Sequence, residues 1–299
     1  MGESGMRMAI SMTHASRPKY TRQSVQSVLR ARDALGAEGR AVPLFMHVEP
    51  GSIETHAICE AFARAGDQVV LNPLQKFVGR NTIAAIDHGF ASGADFVVHC
   101  EDDTPLAPDA LCYMRWAAER FADDWCMCRD SQHVSAPVCG VHLGHDAIAT
   151  VAGYHREPEM PPSSRWSEVR SRNWFHPWAW GTWRSRWQEL RRAIDVDHGP
   201  TWDIQVNTLM LSQDWCEVFP VLARSQNIGL YSSIHPGVFS PDWYREHHVL
   251  KHWAGSESVS AFLATRRGGW LYAGRDAGED AHRVHEKAGI LAEAAARAR

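Results

Sequence analysis

The 299-residue chain predicts an α/β fold, a mostly parallel sheet with helices on both faces. Three observations carry this expectation. Short apolar runs alternate with stretches of helical period through the N-terminal half, and each run stops at turn-forming or acidic residues. Hydrophobic residues at 44% against 22% charged residues supply a globular core.

The elements follow in order. Met6 to Met12 is a buried first strand, and Arg17-Pro18 breaks it. Tyr20 to Leu35 sets Val25, Val28, Leu29 and Ala31 on one helical side. Val42 to Val48 is a second strand ended by Pro50-Gly51, and Ile53 to Ala65 is a helix. Gln68 to Leu71 is a short third strand, stopped by Asn72-Pro73. Thr82 to Ala91 is helical, with Gly93 beyond its end. Ala94 to Cys100 is the fourth strand and runs into Glu101-Asp102-Asp103. Asp109 to Phe121 is a helix, while Cys126 to Cys128 and Val134 to Val138 are strands. Gly153 to Arg172, rich in Pro, Ser and charge, reads as a loop or lid. Trp183 to Ile194 and Asp203 to Ser212 are helices, Val218 to Leu222 is a strand, and Ala281 to Arg299 is an alanine-rich helix.

Composition narrows the class. The net charge is −4, and no run of 18 apolar residues occurs, so no membrane span is expected. Met1 to Met12 lacks a basic start followed by a long apolar stretch, so no signal peptide is expected. Seven irregularly spaced cysteines argue against a disulfide framework and for a cytoplasmic protein. Cys126-Met127-Cys128, with Cys112 and Cys139, lacks the paired spacing of structural zinc.

In a parallel sheet, ligands sit beyond the carboxyl ends of the strands. The acidic triplet stands at such an end. The chain has neither a G-x-G-x-x-G loop after strand one nor a Walker loop, so a diphosphate needs another holder. A short acidic cluster can supply one through Mg2+ or Mn2+, which take one or two carboxylates plus phosphate oxygens and water. Asp103 is the expected direct ligand, with Asp102 near the ribose or a metal-bound water. An ordinary acidic turn, with Asp103 capping a helix, is the structural alternative. Arg80 suits a bidentate contact with phosphate, Asn81 suits a base or ribose, and Arg224 could meet the diphosphate.

At these positions the chain resembles the GT-A glycosyltransferases. The likeness lies in Thr13, Arg17 and Pro18 after the first strand and in Val48-Glu49-Pro50 after the second. It continues in Gly79-Arg80-Asn81 before a helix and in the run from Gly93 to Asp103. Further on, Gly199-Pro200-Thr201-Trp202-Asp203, Pro220, Arg224 to Gly229 and His235-Pro236 are similar in order to the inverting N-acetylglucosaminyltransferase branch. The resemblance covers roughly residues 6 to 240 and implies a GT-A domain over 1–253. That domain would comprise a nucleotide-sugar half at 6–125 and an acceptor and catalytic half at 126–253, with a helical extension at 254–299.

The resemblance implies roles. Thr13, Arg17, Glu49, Asn81, Glu101 and Asp102 would hold the nucleotide sugar, a UDP-sugar above others. Asp103 and His235 would serve the metal. Asp203 would be the general base, beside Trp202. Gly181, in a glycine-containing loop, would line the acceptor site with Trp178, Trp180 and Trp202.

The acceptor is the open question. Between Arg165 and Arg192 lie seven arginines against Glu168 and Glu189, interleaved with six tryptophans. Such a stretch suits sugars stacked on indole rings, on a glycan or protein. It also suits hydroxymethylated bases in DNA. A non-catalytic nucleotide-sugar or glycan-binding module is the rival of another class. A nucleotidyltransferase would carry a glycine-rich basic loop after strand one, which Thr13-His14-Ala15-Ser16-Arg17 is not.

Overall fold

The computed structural model describes residues 5–125, 147–156, 159–198, 201–229, 253–255 and 269–276. The apolar runs of the first half form β1 (Met8–His14), β2 (Leu44–Val48), β3 (Gln68–Leu71) and β4 (Phe96–Glu101). The helices between them are α1 (Pro18–Ala34), α2 (Ile53–Phe62) and α3 (Phe77–Ala91), and α4 (Ala110–Arg120) follows. Local chemistry starts two of them. Pro18 occupies the first turn of α1, where its missing N–H has no intrahelical acceptor to lose. The Ser52 hydroxyl accepts from Thr55 N at 3.2 Å and caps α2.

The second half adds β5 (Ala147–Ala152), β6 (Glu168–Arg172), β7 (Trp180–Trp183), α5 (Arg184–Ala193), α6 (Trp202–Ser212), β8 (Trp215–Pro220) and β9 (Leu271–Arg275). The described strands form one nine-stranded sheet in the order β3-β2-β1-β4-β7-β5-β8-β6-β9. Strands β1 to β5 and β8 run one way, and β6, β7 and β9 run the other. This is the expected mostly parallel sheet flanked by helices.

Period-two alternation divides the core between the faces. Ile10, Met12, Leu44, Met46, Val98 and Cys100 pack with α1, α2 and α4. Ala9, Phe45, Val97 and Trp180 pack with Ile83, Ile86 and Phe90 of α3, Trp187 of α5 and Val206 of α6.

Three expectations change here. The stretch 153–172 holds β6, a strand inside the sheet, because its charges find partners there. Arg172 pairs with Glu217 of β8 at 2.8 Å, both fully buried, and Arg170 pairs with Glu168 and Asp276. The glycine-containing stretch around Gly181 is β7, not a loop. Its backbone pairs with β4, and a Cβ at Gly181 would stand 2.4 Å from the Phe96 ring. Phe77, exposed and at φ 59°, begins α3 before the expected Thr82. Four free cysteines (Cys59, Cys100, Cys112 and Cys216) fit the absence of a disulfide framework among the described residues. No described helix is long and apolar enough to cross a membrane. The strands expected at 126–128 and 134–138 and the helix at 281–299 lie outside the described residues.

Gly181→Ala should destabilise the protein by about 1–3 kcal/mol, because Phe96 has no room to yield beside Trp183. Urea unfolding measures this. An unchanged midpoint would show that the Phe96 ring moves aside.

Candidate active site at the end of strand β4

The face beneath α3 changes from apolar to polar toward the carboxyl ends of three neighbouring strands. In β1 the sequence on this face is Ala9, Ser11, Thr13. From β2 into the residue after it, it is Phe45, His47, Glu49. In β4 it is Val97, His99, Glu101. Parallel register aligns the steps, with Ser11 beside His99 and Thr13 beside both His47 and Glu101. The Ser11 hydroxyl lies 3.0 Å from His99 Nδ1, and His47 Nε2 lies 3.1 Å from His88 Nδ1. Burial pushes His47 down to about 4 and His99 down to about 3, so both rings stay neutral at physiological pH.

At the end of β4 negative charge is buried. Asp102 and Asp103 are 1% and 5% exposed. Arg17, at the start of α1, reaches over both. Its Nη1 donates to Asp103 Oδ2 at 2.6 Å, its Nε donates to Asp102 Oδ2 at 3.2 Å, and its Nη2 donates to Asp102 Oδ1. Ala15 N also donates to Asp102, at 3.0 Å. Burial pushes Glu101 up to about 8, helped by the charges of Asp103, Asp102 and Asp203, while Arg17 opposes the rise. Burial likewise pushes Asp103 up to about 6, and it raises Asp102 against the pull of Arg17 and the Ala15 N–H. The surplus of negative charge suits a divalent cation. Asp103 Oδ1 is buried without a hydrogen-bond partner, an oxygen free to ligate. Among the described residues no group of three or more His, Cys, Asp or Glu side chains is placed to hold a metal ion by itself.

Asp203 stands in the first turn of α6, where the helix dipole favours negative charge. It does not cap the helix, which begins one residue earlier with Thr201 as its N-cap. Its charge contributes to the rise at Glu101, after those of Asp103 and Asp102. The start of α3 lies against the start of α6, since a Cβ at Gly79 would stand 3.6 Å from Trp202.

Other expected site residues divide into those brought together and those held elsewhere. Asn72 was not expected, and it joins Glu49 to Asn81. Its Nδ2 donates to Asn81 Oδ1 at 2.8 Å and to Glu49 Oε1 at 3.4 Å, and Lys76 N donates to Glu49 Oε2 at 2.9 Å. Thr13 is buried at the end of β1. Arg80 forms an ion pair with Asp197 at the surface. Arg224 is fully buried, and its guanidinium is engaged by Asp109 Oδ2 at 3.2 Å, Leu222 O at 2.5 Å and Trp166 O at 2.8 Å. It is a structural arginine and cannot meet a diphosphate from there.

The acceptor residues also change. Trp180 is fully buried and stacks on Trp202 with centroids 6.0 Å apart, so both belong to the core. Gly181 is inside the sheet, and Trp178 is half-buried against Tyr154. All seven arginines of the basic stretch have protein partners. Arg165, Arg170, Arg172, Arg191 and Arg192 pair with carboxylates. Arg184 and Arg186 donate to the ends of neighbouring helices, at Phe90 O and Phe121 O. The free basic stripe that suggested DNA is absent. His235 lies outside the described residues.

Gly229 forms the far wall. Ile228 N donates to Asp103 O at 2.8 Å, and a Cβ at Gly229 would stand 2.1 Å from Asp103 Oδ2. The sequence signal for this was weak, because only the folded chain brings residue 229 against residue 103.

No family model matches the chain, and no curated protein matches it. Solved structures that resemble it include nucleotide-sugar glycosyltransferases. The mannosyltransferase PcManGT from Pyrobaculum calidifontis, in complex with GDP-Man and Mn2+, is 12% identical over 72% of this chain and 55% of its own, with a TM-score of 0.46. S. aureus TarS 1-349 in complex with UDP is 10% identical over 74% of this chain and 60% of its own, with a TM-score of 0.48. The chain thus spans 55–60% of the length of these two neighbours.

Glu101→Gln should remove a pH-dependent burden. A carboxyl raised from 4.5 to about 8 keeps its proton in the native state, so wild type loses stability as pH rises through that window. In chelator, the variant should gain on wild type progressively from pH 4.5 to about 8 and level off above it. Urea unfolding across pH tests this, and parallel profiles would contradict it.

Proposed function

We propose that the chain is a divalent-metal-dependent GT-A glycosyltransferase of the inverting kind, moving a sugar from a nucleotide diphosphate to an acceptor hydroxyl. One observation carries the reading. Asp103 presents a buried, unpartnered oxygen at the carboxyl end of β4, within a cluster whose charge Arg17 only partly neutralises.

In this reading Asp103 would hold Mn2+ or Mg2+, which would supply positive charge to offset that of a departing diphosphate. Thr13, Glu49 and Asn81 take the nucleoside, UDP being the first donor to test. Asn72 keeps Glu49 and Asn81 in place. Arg80 would have to leave Asp197 to reach a phosphate. Asp203 takes the proton from the acceptor hydroxyl as its oxygen attacks the sugar carbon opposite the leaving group. His235 is a second metal ligand by resemblance alone.

The internal pairing of the arginines favours a glycan or protein hydroxyl over a DNA base as acceptor. Phe77, 67% exposed beside the start of α6, is an added candidate for stacking an acceptor sugar.

A thermal-shift screen of nucleotide sugars with and without Mn2+ tests the class, and stabilisation should require both. Asp103→Asn should abolish that joint shift. Asp203→Asn should keep the shift and lower transfer about 10²–10⁴-fold. Donor binding with no transfer in any variant would favour the binding-module reading.

A further inference from the structure

We propose that Arg17 is a resident counter-cation that the divalent metal must displace, so that metal and nucleotide diphosphate bind as a coupled pair. This rests on the donor-site reading above and concerns what that site does before its ligands arrive.

The geometry sets up a competition for one carboxylate. Arg17 Nη1 lies 2.6 Å from Asp103 Oδ2. A metal on Asp103 would sit about 2.0–2.2 Å from a carboxylate oxygen. It would bring a second positive centre against the guanidinium in a pocket with little water to screen them. The carboxylate is confined on one side. Gly229 closes one side, since even a Cβ there would reach within 2.1 Å of Oδ2, and Asp103 O is held by Ile228 N. The backbone of Arg17 is also constrained, because it is the N-cap of α1 with Pro18 following. The side chain is the part free to move. It is 17% exposed, against 6% for Asp103, so it forms the solvent side of the pair.

The consequence is coupling. Asp102 keeps the Ala15 N–H when Arg17 leaves, so it remains partly satisfied. Asp103 gives up the Arg17 Nη1–H on its Oδ2 and gains the metal. The released guanidinium needs a new anion at the mouth of the site. A diphosphate supplies one with the two-pronged geometry that arginine matches. Metal alone therefore binds against the Arg17 contact, whereas metal with diphosphate does not. By reciprocity each ligand tightens the other.

The test measures Mn2+ alone by electron paramagnetic resonance on the full chain. Wild type is compared with Arg17→Met, Arg17→Lys and Asp103→Asn, and the titration is then repeated with saturating UDP. Arg17→Met should bind Mn2+ alone at least about tenfold more tightly than wild type. Arg17→Lys keeps the charge but loses the fork, and it should also bind more tightly than wild type. This separates release of the contact from simple removal of charge. UDP should raise Mn2+ affinity in wild type more than in Arg17→Met, and Asp103→Asn should remove the site.

Equal or weaker Mn2+ binding by both Arg17 variants, with Asp103→Asn still abolishing it, would overturn the displacement and leave the donor site standing. No Mn2+ binding by wild type or either Arg17 variant would overturn both. If Arg17→Met fails to fold, Arg17→Lys decides alone.

Discussion

The candidate site is organised by one constraint: carboxylates cannot be buried without compensation. The end of β4 sets three acidic side chains in consecutive residues, Asp102 and Asp103 buried and Glu101 half-buried. The ion pairs from Arg17 and the Ala15 N–H answer part of that charge. These contacts also tie the turn after β1 to the turn after β4, across 85 to 87 residues. The remaining negative charge raises the carboxyls and leaves Asp103 Oδ1 unpartnered. A structural cluster would be expected to close that account with another arginine. Among the described residues only Arg17 forms an ion pair with these carboxylates.

The stretch between Arg165 and Arg192 is largely paired within the protein, although Arg186 Nε and Nη1 find no partner. The stretch between Arg165 and Arg192 looks like an interaction surface because its residues are large, charged and aromatic. In the folded chain its charges meet carboxylates or helix-end carbonyls, and its rings pack on one another. Arg186 lies 3.4 Å over the Trp183 ring, and Arg172 lies 4.4 Å over Phe219. This second layer packs with α6 through the stacked rings of Trp180 and Trp202.

The polarity gradient beneath α3 links the two. Each of three strands begins apolar where α3 and α5 pack and ends polar where ligands would enter. Thr13, His47, His99 and Glu101 are thus consequences of sheet register as much as of local sequence. Neutral His47 and His99 let polar atoms line the approach without adding charge of their own.

By itself the sequence determined the first four strands, their helices and the position of the acidic triplet. Those elements rest on local periodicity and on breakers next to it in the chain. It also singled out Arg17, Asp102 and Asp103, which the fold brings together. Only tertiary structure decided that β6 and β7 lie inside the sheet, that Gly181 is an accommodation to Phe96, and that Arg224 is held by Asp109. The same holds for Asn72 between Glu49 and Asn81 and for Gly229 against Asp103. The reason is range. A charge or a glycine in the sequence shows what a residue can do, whereas its partner, 50 or 100 positions away, determines whether that capacity serves packing or chemistry.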